Sequence, residues 1–296
     1  MDTKSFTVTI KRKGWKPLIM KCGSQGSQLR GICTLEEGGQ TYRNNAEITI
    51  YGIDADHLKN YSSLVLHKGK TVSIPETITV STENKILFSG DSYLTFADFS
   101  RFPNISLRIS ASFGFSAALV KGKQFTVEPD SKLKFTAAAN YLAGELNKDL
   151  GLYGQPGMIT TKFAPEVKKI ICPAMTLTGT SLDKLHNLAY ALGLHRKIDH
   201  TGAFFWVPGK SYPPDFVRQK PEVSVDTGLI RYPMFYNEGI SFAVSSIGTW
   251  KVGDRIKLRS EVPYADGEYF INHIHIEMST LPGGKWEANL NATYDI

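Results

Sequence analysis

Apolar and polar residues alternate with period two at both ends of the chain. Phe6, Val8 and Ile10 share one face, with Thr7, Thr9 and Lys11 on the other. Ile48 and Ile50 follow the same rule, as do Ile78 and Val80, then Ile105, Leu107, Ile109 and Ala111. Toward the other end, Ile240, Phe242 and Val244 alternate, then Ile256 and Leu258. A last strand sets Trp286, Ala288, Leu290 and Ala292 against Glu287, Asn289, Asn291 and Thr293. One-faced alternation predicts antiparallel sheets with one side buried, as in a sandwich or barrel.

The middle changes period. Phe135, Ala138, Ala139, Leu142 and Leu146 recur at helical spacing, and Gly151 is expected just past the helix end. Thr180-Ser181-Leu182-Asp183 fits a capping box that satisfies free amides. Leu182, Leu185, Leu188, Ala189 and Leu192 then form one stripe, closed by Gly193. A hairpin is expected from Leu194 to Val207, turning at Thr201-Gly202. Between the helices lies the punctuated stretch Gly151-Leu152-Tyr153-Gly154-Gln155-Pro156-Gly157. Ser211-Tyr212-Pro213-Pro214-Asp215 reads as an exit linker, because paired prolines resist both helix and central strand.

Aligned with itself, the chain shows a faint duplication. Gly69-Lys70-Thr71-Val72-Ser73-Ile74 resembles Gly253-Asp254-Arg255-Ile256-Lys257-Leu258. Ile86-Leu87-Phe88 matches Glu268-Tyr269-Phe270, and Pro103-Asn104-Ile105-Ser106-Leu107 matches Gly284-Lys285-Trp286-Glu287-Ala288. Upstream, Ala46-Glu47-Ile48-Thr49-Ile50 parallels Gly239-Ile240-Ser241-Phe242-Ala243. Identities are few, but order and spacing persist across four strands. The expectation is mainly β: two related antiparallel β-barrels, residues 1–120 and 218–296, flanking an α+β insert over 121–217.

Composition narrows this only a little. The 296 residues suffice for two or three packed domains. No stretch approaches the roughly 20 apolar residues of a membrane helix, so no membrane insertion is expected. Met1-Asp2-Thr3-Lys4-Ser5 runs straight into alternation, which predicts no signal peptide ahead of the fold. Cys22, Cys33 and Cys172 are scattered, odd in number and without CxxC spacing, and read as reduced thiols. A net charge of +6 permits contact with nucleic acid or acidic surfaces without demanding it. The densest basic run, Lys11-Arg12-Lys13-Gly14-Trp15-Lys16-Pro17, reads as a solvated turn, with a phosphate-contacting arm as the competing reading.

Candidate chemistry is thin. Gly69-Lys70-Thr71 mimics the end of a P-loop, but Leu64 stands where its first glycine belongs, and a strand-like segment follows. GxGxxG, HExxH and GxSxG are absent. His273-Ile274-His275-Ile276-Glu277 is the sharpest metal candidate, since alternate strand residues share a side and two imidazoles there can chelate zinc. Glu277 lies about 13 Å from His273 along an extended strand, too far to share one ion. The favoured reading is the polar face of a strand. Asp54-Ala55-Asp56-His57 reads as the polar start of a connection. Glu36-Glu37 precedes Gly38-Gly39, read as a flexible turn that fixes no carboxylate pair. The expectation is a non-enzymatic protein with no catalytic residue, cofactor or metal. Trp15, Tyr232, Phe235, Tyr236 and Trp250 fall in or near predicted turns and are candidates for a protein–protein interface. A carbohydrate platform and burial under a loop compete for the same residues.

The C-terminal segment carries a resemblance. Gly228-Leu229-Ile230-Arg231-Tyr232-Pro233, Gly239-Ile240-Ser241-Phe242, Trp250-Lys251-Val252-Gly253-Asp254-Arg255-Ile256-Lys257-Leu258 and Asp266-Gly267-Glu268-Tyr269-Phe270-Ile271 together resemble baseplate hub proteins of tailed phages, especially contractile-tail ones. Leu281-Pro282-Gly283-Gly284-Lys285-Trp286 resembles the turn before a final Trp-containing strand in such hubs. The middle resembles the hub insert, and residues 40–115 its first tube-like module. The resemblance implies two tube-protein-like barrels per chain and a homotrimer whose six modules form a pseudo-sixfold ring. It implies partners in the tail tube protein, the central spike and the tape measure protein, with DNA crossing the bore without sequence-specific binding. It also implies a virion location in the baseplate after assembly in the host cytoplasm. The chain departs from larger family members in ending soon after the second module, so no further spike-docking domain is expected. A β-rich glycan-binding or glycan-cleaving tail component is the alternative, and a double-barrel nucleic-acid binder a third reading.

Overall fold

The computed structural model describes residues 4–38, 44–54, 57–58, 61, 66–67, 70–71, 76–83, 85–100, 102–152, 159–208, 221–236, 239–262 and 264–294. The alternating segments are strands. The first unit holds β1 (Phe6–Lys11), β2 (Leu18–Cys22), β3 (Arg30–Gly38), β4 (Asn45–Tyr51), the short β5 (Leu66–His67) and β6 (Lys70–Thr71), β7 (Thr77–Thr82), β8 (Lys85–Asp98) and β9 (Ser106–Ser112). A helical turn, α1 (Phe115–Ala118), leads to β10 (Phe125–Val127), α2 (Phe135–Leu152), β11 (Thr161–Phe163), β12 (Met175–Leu177), α3 (Ser181–Ala191), β13 (His195–Asp199) and β14 (Gly202–Trp206). The last unit holds β15 (Glu222–Val223), β16 (Met234–Tyr236), β17 (Gly239–Val244), β18 (Arg255–Leu258), β19 (Gly267–Ser279) and β20 (Trp286–Tyr294). The fold is mainly β, as the alternation predicts.

One large sheet joins the two ends of the chain. Its strands run β16-β17-β20-β19-β3-β4-β9-β8-β7-β1-β2, with β18 beside β19 and β15 beside β18. Neighbours are antiparallel except β15 with β18. One hydrophobic cluster serves this sheet, drawing Val8, Ile10, Ile48, Ile50, Leu107 and Ile109 from one end and Ile240, Phe242, Ile256, Ile274 and Leu290 from the other. Each such side chain contributes about 1.5–3 kcal/mol when fully buried. A second cluster is local to the middle, where Phe135, Leu142 and Leu146 of α2 meet Leu185 and Leu188 of α3 and Phe205 of β14.

The helices form where the period changes. Thr180 Oγ1 accepts from the Asp183 N–H at 3.1 Å, and the Asp183 carboxylate accepts from the Thr180 N–H at 3.3 Å, completing the capping box of α3. α2 runs through Gly151 to Leu152 instead of stopping before it, because the buried Leu150 anchors one more turn. The predicted hairpin is β13–β14, with Asp199 opposite Gly202. The exit linker 211–215, residues 153–157, Gly39, Ala55 and Asp56 lie outside the described residues.

One order of strand neighbours occurs twice in the sheet. β3-β4-β9-β8-β7 and β16-β17-β20-β19-β18 repeat one order of neighbours. Each copy bulges at the same place, between Ser92 and Leu94 on β8 and between Ile271 and His273 on β19. Superposing the bulges sets residues 77–80 of β7 on residues 255–258 of β18. The sequence alignment gave that role to residues 69–74. Of these, only Lys70 and Thr71 are described, and they form the separate β5–β6 pair.

Candidate assembly interface

β19 serves both units. Along one edge it pairs β20. Along the other, residues 267–270 pair β18 and residues 273–279 pair β3. The bulge after Ile271 marks the change of partner, since a bulge bends a strand and raises its twist. The joint between the units is therefore a seven-residue antiparallel ladder, from His273 opposite Gly38 to Ser279 opposite Ile32.

Polar side chains seal this joint. Glu36 of β3 lies 2.5 Å from His275 Nδ1 and 2.7 Å from His273 Nε2. Burial holds the His273 imidazole below its usual value, with Glu36 pulling the other way. Glu277, on the same face, takes Lys285 at 2.7 Å, and this hydrogen bond lowers its carboxyl. Among the described residues, no group of three or more His, Cys, Asp or Glu is placed to hold a metal ion. Glu37 reaches the middle unit through the buried Lys197, 2.5 Å away, which also contacts Asp199 at 3.2 Å. Burial pushes the Lys197 ammonium down, and Glu37 and Asp199 outweigh it, leaving the group raised. Glu36 and Glu37 are thus fixed within a strand. The partners that hold them come from distant β19 and β13, and the strand runs on through Gly38, while Gly39 of the expected turn lies outside the described residues.

The face of the sheet away from the core carries carboxylates and, on Arg30 and Arg108, cations. Glu36, Glu47, Asp98, Glu277 and Glu287 lie on it, between positions whose neighbours in sequence face the core. Several are tied down: Asp98 to Arg108 at 2.8 Å, Glu47 by Ser110 Oγ at 2.6 Å, and Glu287 by Arg231.

The five aromatic candidates separate into three environments. Tyr232, Phe235 and Tyr236 gather at the β16 end of the sheet, all exposed. The Tyr232 hydroxyl donates to Glu261 at 3.1 Å and that of Tyr236 to the Ala292 carbonyl at 3.4 Å. Trp15 stands at the opposite end, half exposed, with the Arg12 guanidinium 5.0 Å from its ring centroid and Tyr61 edge-on at 6.5 Å. It covers the Arg12–Glu76 ion pair, in which Glu76 is wholly buried. Trp250 is not at the surface expected of it. Its ring belongs to the core beneath the sheet, and Nε1 donates to Ser246 Oγ at 2.9 Å.

Sequence reasoning missed other members of the exposed sets. Met234 and Ile230 are exposed beside Phe235, and Tyr93, Phe99 and Phe102 are exposed around the end of β8. The available signal was apolar residues at consecutive positions, as in Met234-Phe235-Tyr236, which no one-faced strand can bury.

No protein-family model matches the chain, and no curated protein sequence matches it. Solved structures do. A tail protein from Neisseria meningitidis MC58 superposes with a TM-score of 0.65 at 12% identity, covering 98% of this chain and 96% of that one. The 43 kDa tail protein of prophage MuSo2 from Shewanella oneidensis gives 0.62 at 10% identity, with 98% of each chain covered. An Escherichia coli type VI secretion component, described as similar in structure to the T4 bacteriophage tail proteins gp27 and gp5, gives 0.57 at 9% identity, covering 91% of this chain and 75% of that one. The chain has the fold of phage tail proteins along nearly its whole length.

Proposed function

We propose that this chain is a structural baseplate hub of a phage tail. Three copies form a ring in which six related units meet a sixfold tail tube on one side and a threefold central spike on the other. The observation that carries this reading is the repeated strand order with its matched bulges, which gives one chain two equivalent building blocks. Closed rings need contacts that return on themselves, and a duplicated unit lets three chains approximate sixfold closure. Similarity to tail proteins over nearly the full length supports the same reading.

Each chain acts by shape, without catalysis or cofactor. The units are tube-like barrels in the assembled ring, with the 121–217 region as an outer insert. The face of the sheet away from the core lines the bore. Most of its carboxylates are paired with cations, and DNA passes it without sequence-specific contact. The tail tube protein, the spike and the tape measure protein are the partners, in the virion baseplate after assembly in the host cytoplasm.

Light scattering coupled to size exclusion tests this reading, together with negative-stain imaging alongside the spike encoded with it. A trimer and a ring with a central hole are expected. A monomer at high concentration, with no ring in the presence of the spike, overturns it.

A further inference from the structure

We propose that mild acid uncouples the middle unit from the sheet, through a histidine-containing latch at the tip of the β13–β14 hairpin. The proposal stands on a single chain and is independent of the ring reading above.

The three units meet at two consecutive residues of β3. Glu36 holds His273 and His275 of the last unit, and Glu37 holds Lys197 of the middle unit. The hairpin that carries Lys197 turns at His200, between Asp199 and Gly202. Three of the chain's seven histidines therefore gather around one pair of glutamates. A small cavity lies between hairpin and sheet, lined by Glu36, Glu37, Asn44, Phe88, Asp199 and His200. His200 is half-buried, and the cavity has room for a water molecule, so protons reach the imidazole while the unit is docked.

Two polar contacts tie the hairpin to this end of β3. Lys197 meets Glu37 at 2.5 Å, and Asn44 Nδ2 donates to the Ile198 carbonyl at 3.5 Å. The second is at the limit of a hydrogen bond, so the ion pair carries most of the hold.

The charges around His200 come from all three units. Lys197 and Asp199 stand beside it on the hairpin, and Glu37 acts on it from β3. Lys85 of β8, with Lys251 and Asp254 ahead of β18, shares the field of Glu37 and Lys197. With Glu36, four carboxylates meet three ammonium groups while the imidazoles are neutral. Charging the three imidazoles turns this negative excess into a positive one. At His200 the new cation sits beside Lys197, which already engages both Glu37 and Asp199.

The sign follows from the burial. Burial holds the His200 imidazole below its ordinary value, with Lys197 adding to this and Asp199 and Glu37 opposing. Docking is therefore favoured above about pH 6.5, the ordinary histidine value, and weakens as pH drops toward the docked one. Asp254, raised by burial to about 6, opposes this below that pH, so the contrast is read between pH 7.5 and 6.

Calorimetry of the full chain at these two pH values is the test. One transition is expected at pH 7.5. Two are expected at pH 6, the lower one about 4 °C or more beneath the other, merging again when pH is restored. His200→Gln is expected to keep one transition at both pH values. His200→Arg, charged throughout, is expected to show two already at pH 7.5. His57→Gln, outside the junction, is expected to behave as the unmodified protein. An unmodified protein with the same number of transitions at both pH values overturns the proposal. So does a response that survives His200→Gln, or one lost instead in His273→Gln, which would put the switch in the β3·β19 joint. If His200→Gln fails to fold, His200→Arg decides: two transitions at pH 7.5 support the latch, and behaviour like the unmodified protein overturns it.

Discussion

Glu36 on β3 holds two histidines of β19 at once, His275 at 2.5 Å and His273 at 2.7 Å, across the joint between the two units. The group that closes the joint therefore titrates. Burial holds His273 below its ordinary value, so the unfolded chain takes up this proton first as pH falls. Its stabilising contribution is present above about pH 6.5, the unfolded value, and is lost as pH drops toward the folded one. Thermal unfolding between about pH 7.5 and pH 5 should show the midpoint falling. His273→Gln, which keeps a donor toward Glu36, should show a shallower fall. Parallel curves for the two proteins would remove His273 from this account.

Asp254 works in the opposite sense. Burial pushes its carboxyl up to about 6, against the Lys251 N–H bond and the lysine charges nearby. A folded value above the unfolded one stabilises below the unfolded value and is lost as pH rises through about 6. At neutral pH the ionised group is a cost. Asp254→Asn keeps an acceptor for the Lys251 N–H and removes the charge. Denaturant titration at about pH 7.5 should show a gain on the order of 1–2 kcal/mol that vanishes by about pH 4. A variant no more stable at neutral pH would contradict this.

The Arg12–Glu76 pair anchors the far end of the sheet. Glu76 is wholly buried, and burial already pushes its carboxyl up. Arg12→Leu leaves that carboxylate without its cation and should destabilise by about 3–5 kcal/mol. The double variant with Glu76→Leu should recover much of the loss, because the uncompensated charge is gone. Trp15 fluorescence should shift to the red in the single variant as the ring loses its cation partner. Equal stability of single and double variants would place the cost elsewhere.

Lys197 ties the middle unit to the sheet through Glu37. Lys197→Met strands two carboxylates, Glu37 and Asp199, and should cost about 3–5 kcal/mol. The middle unit has its own core. Calorimetry of the variant should therefore resolve two transitions where the parent shows one.

Much of this architecture is legible in the sequence where the controlling interactions are local. Val8 and Ile10 alternate with threonines because one side of β1 is buried, and Thr180 with Asp183 is a capping box whatever lies around it. The repeat is legible as order, but its register is not, since residues 77–80, and not 69–74, stand where residues 255–258 do. The joint is invisible to any local pattern. Glu36 and Glu37 look like the lip of a glycine turn, and only His275, 239 residues away, and Lys197 make them part of a strand. The aromatic candidates divide for the same reason. Phe235 and Tyr236 are in a strand too short to have a buried face, while Trp250 is drawn under the sheet by a core assembled from both chain ends.

The β3·β19 ladder also has a consequence for biosynthesis. Its paired residues stand about 240 positions apart, as His275 and Glu36 do, so the ribosome finishes one strand long before the other exists. At roughly 5–20 residues per second, the nascent N-terminal half waits some ten to fifty seconds with the outer side of β3 unpaired. Such a strand is a template for the wrong partner, including the same strand of a neighbouring nascent chain. Yield during expression should therefore depend on translation speed and chaperone supply more than on the stability of the finished fold.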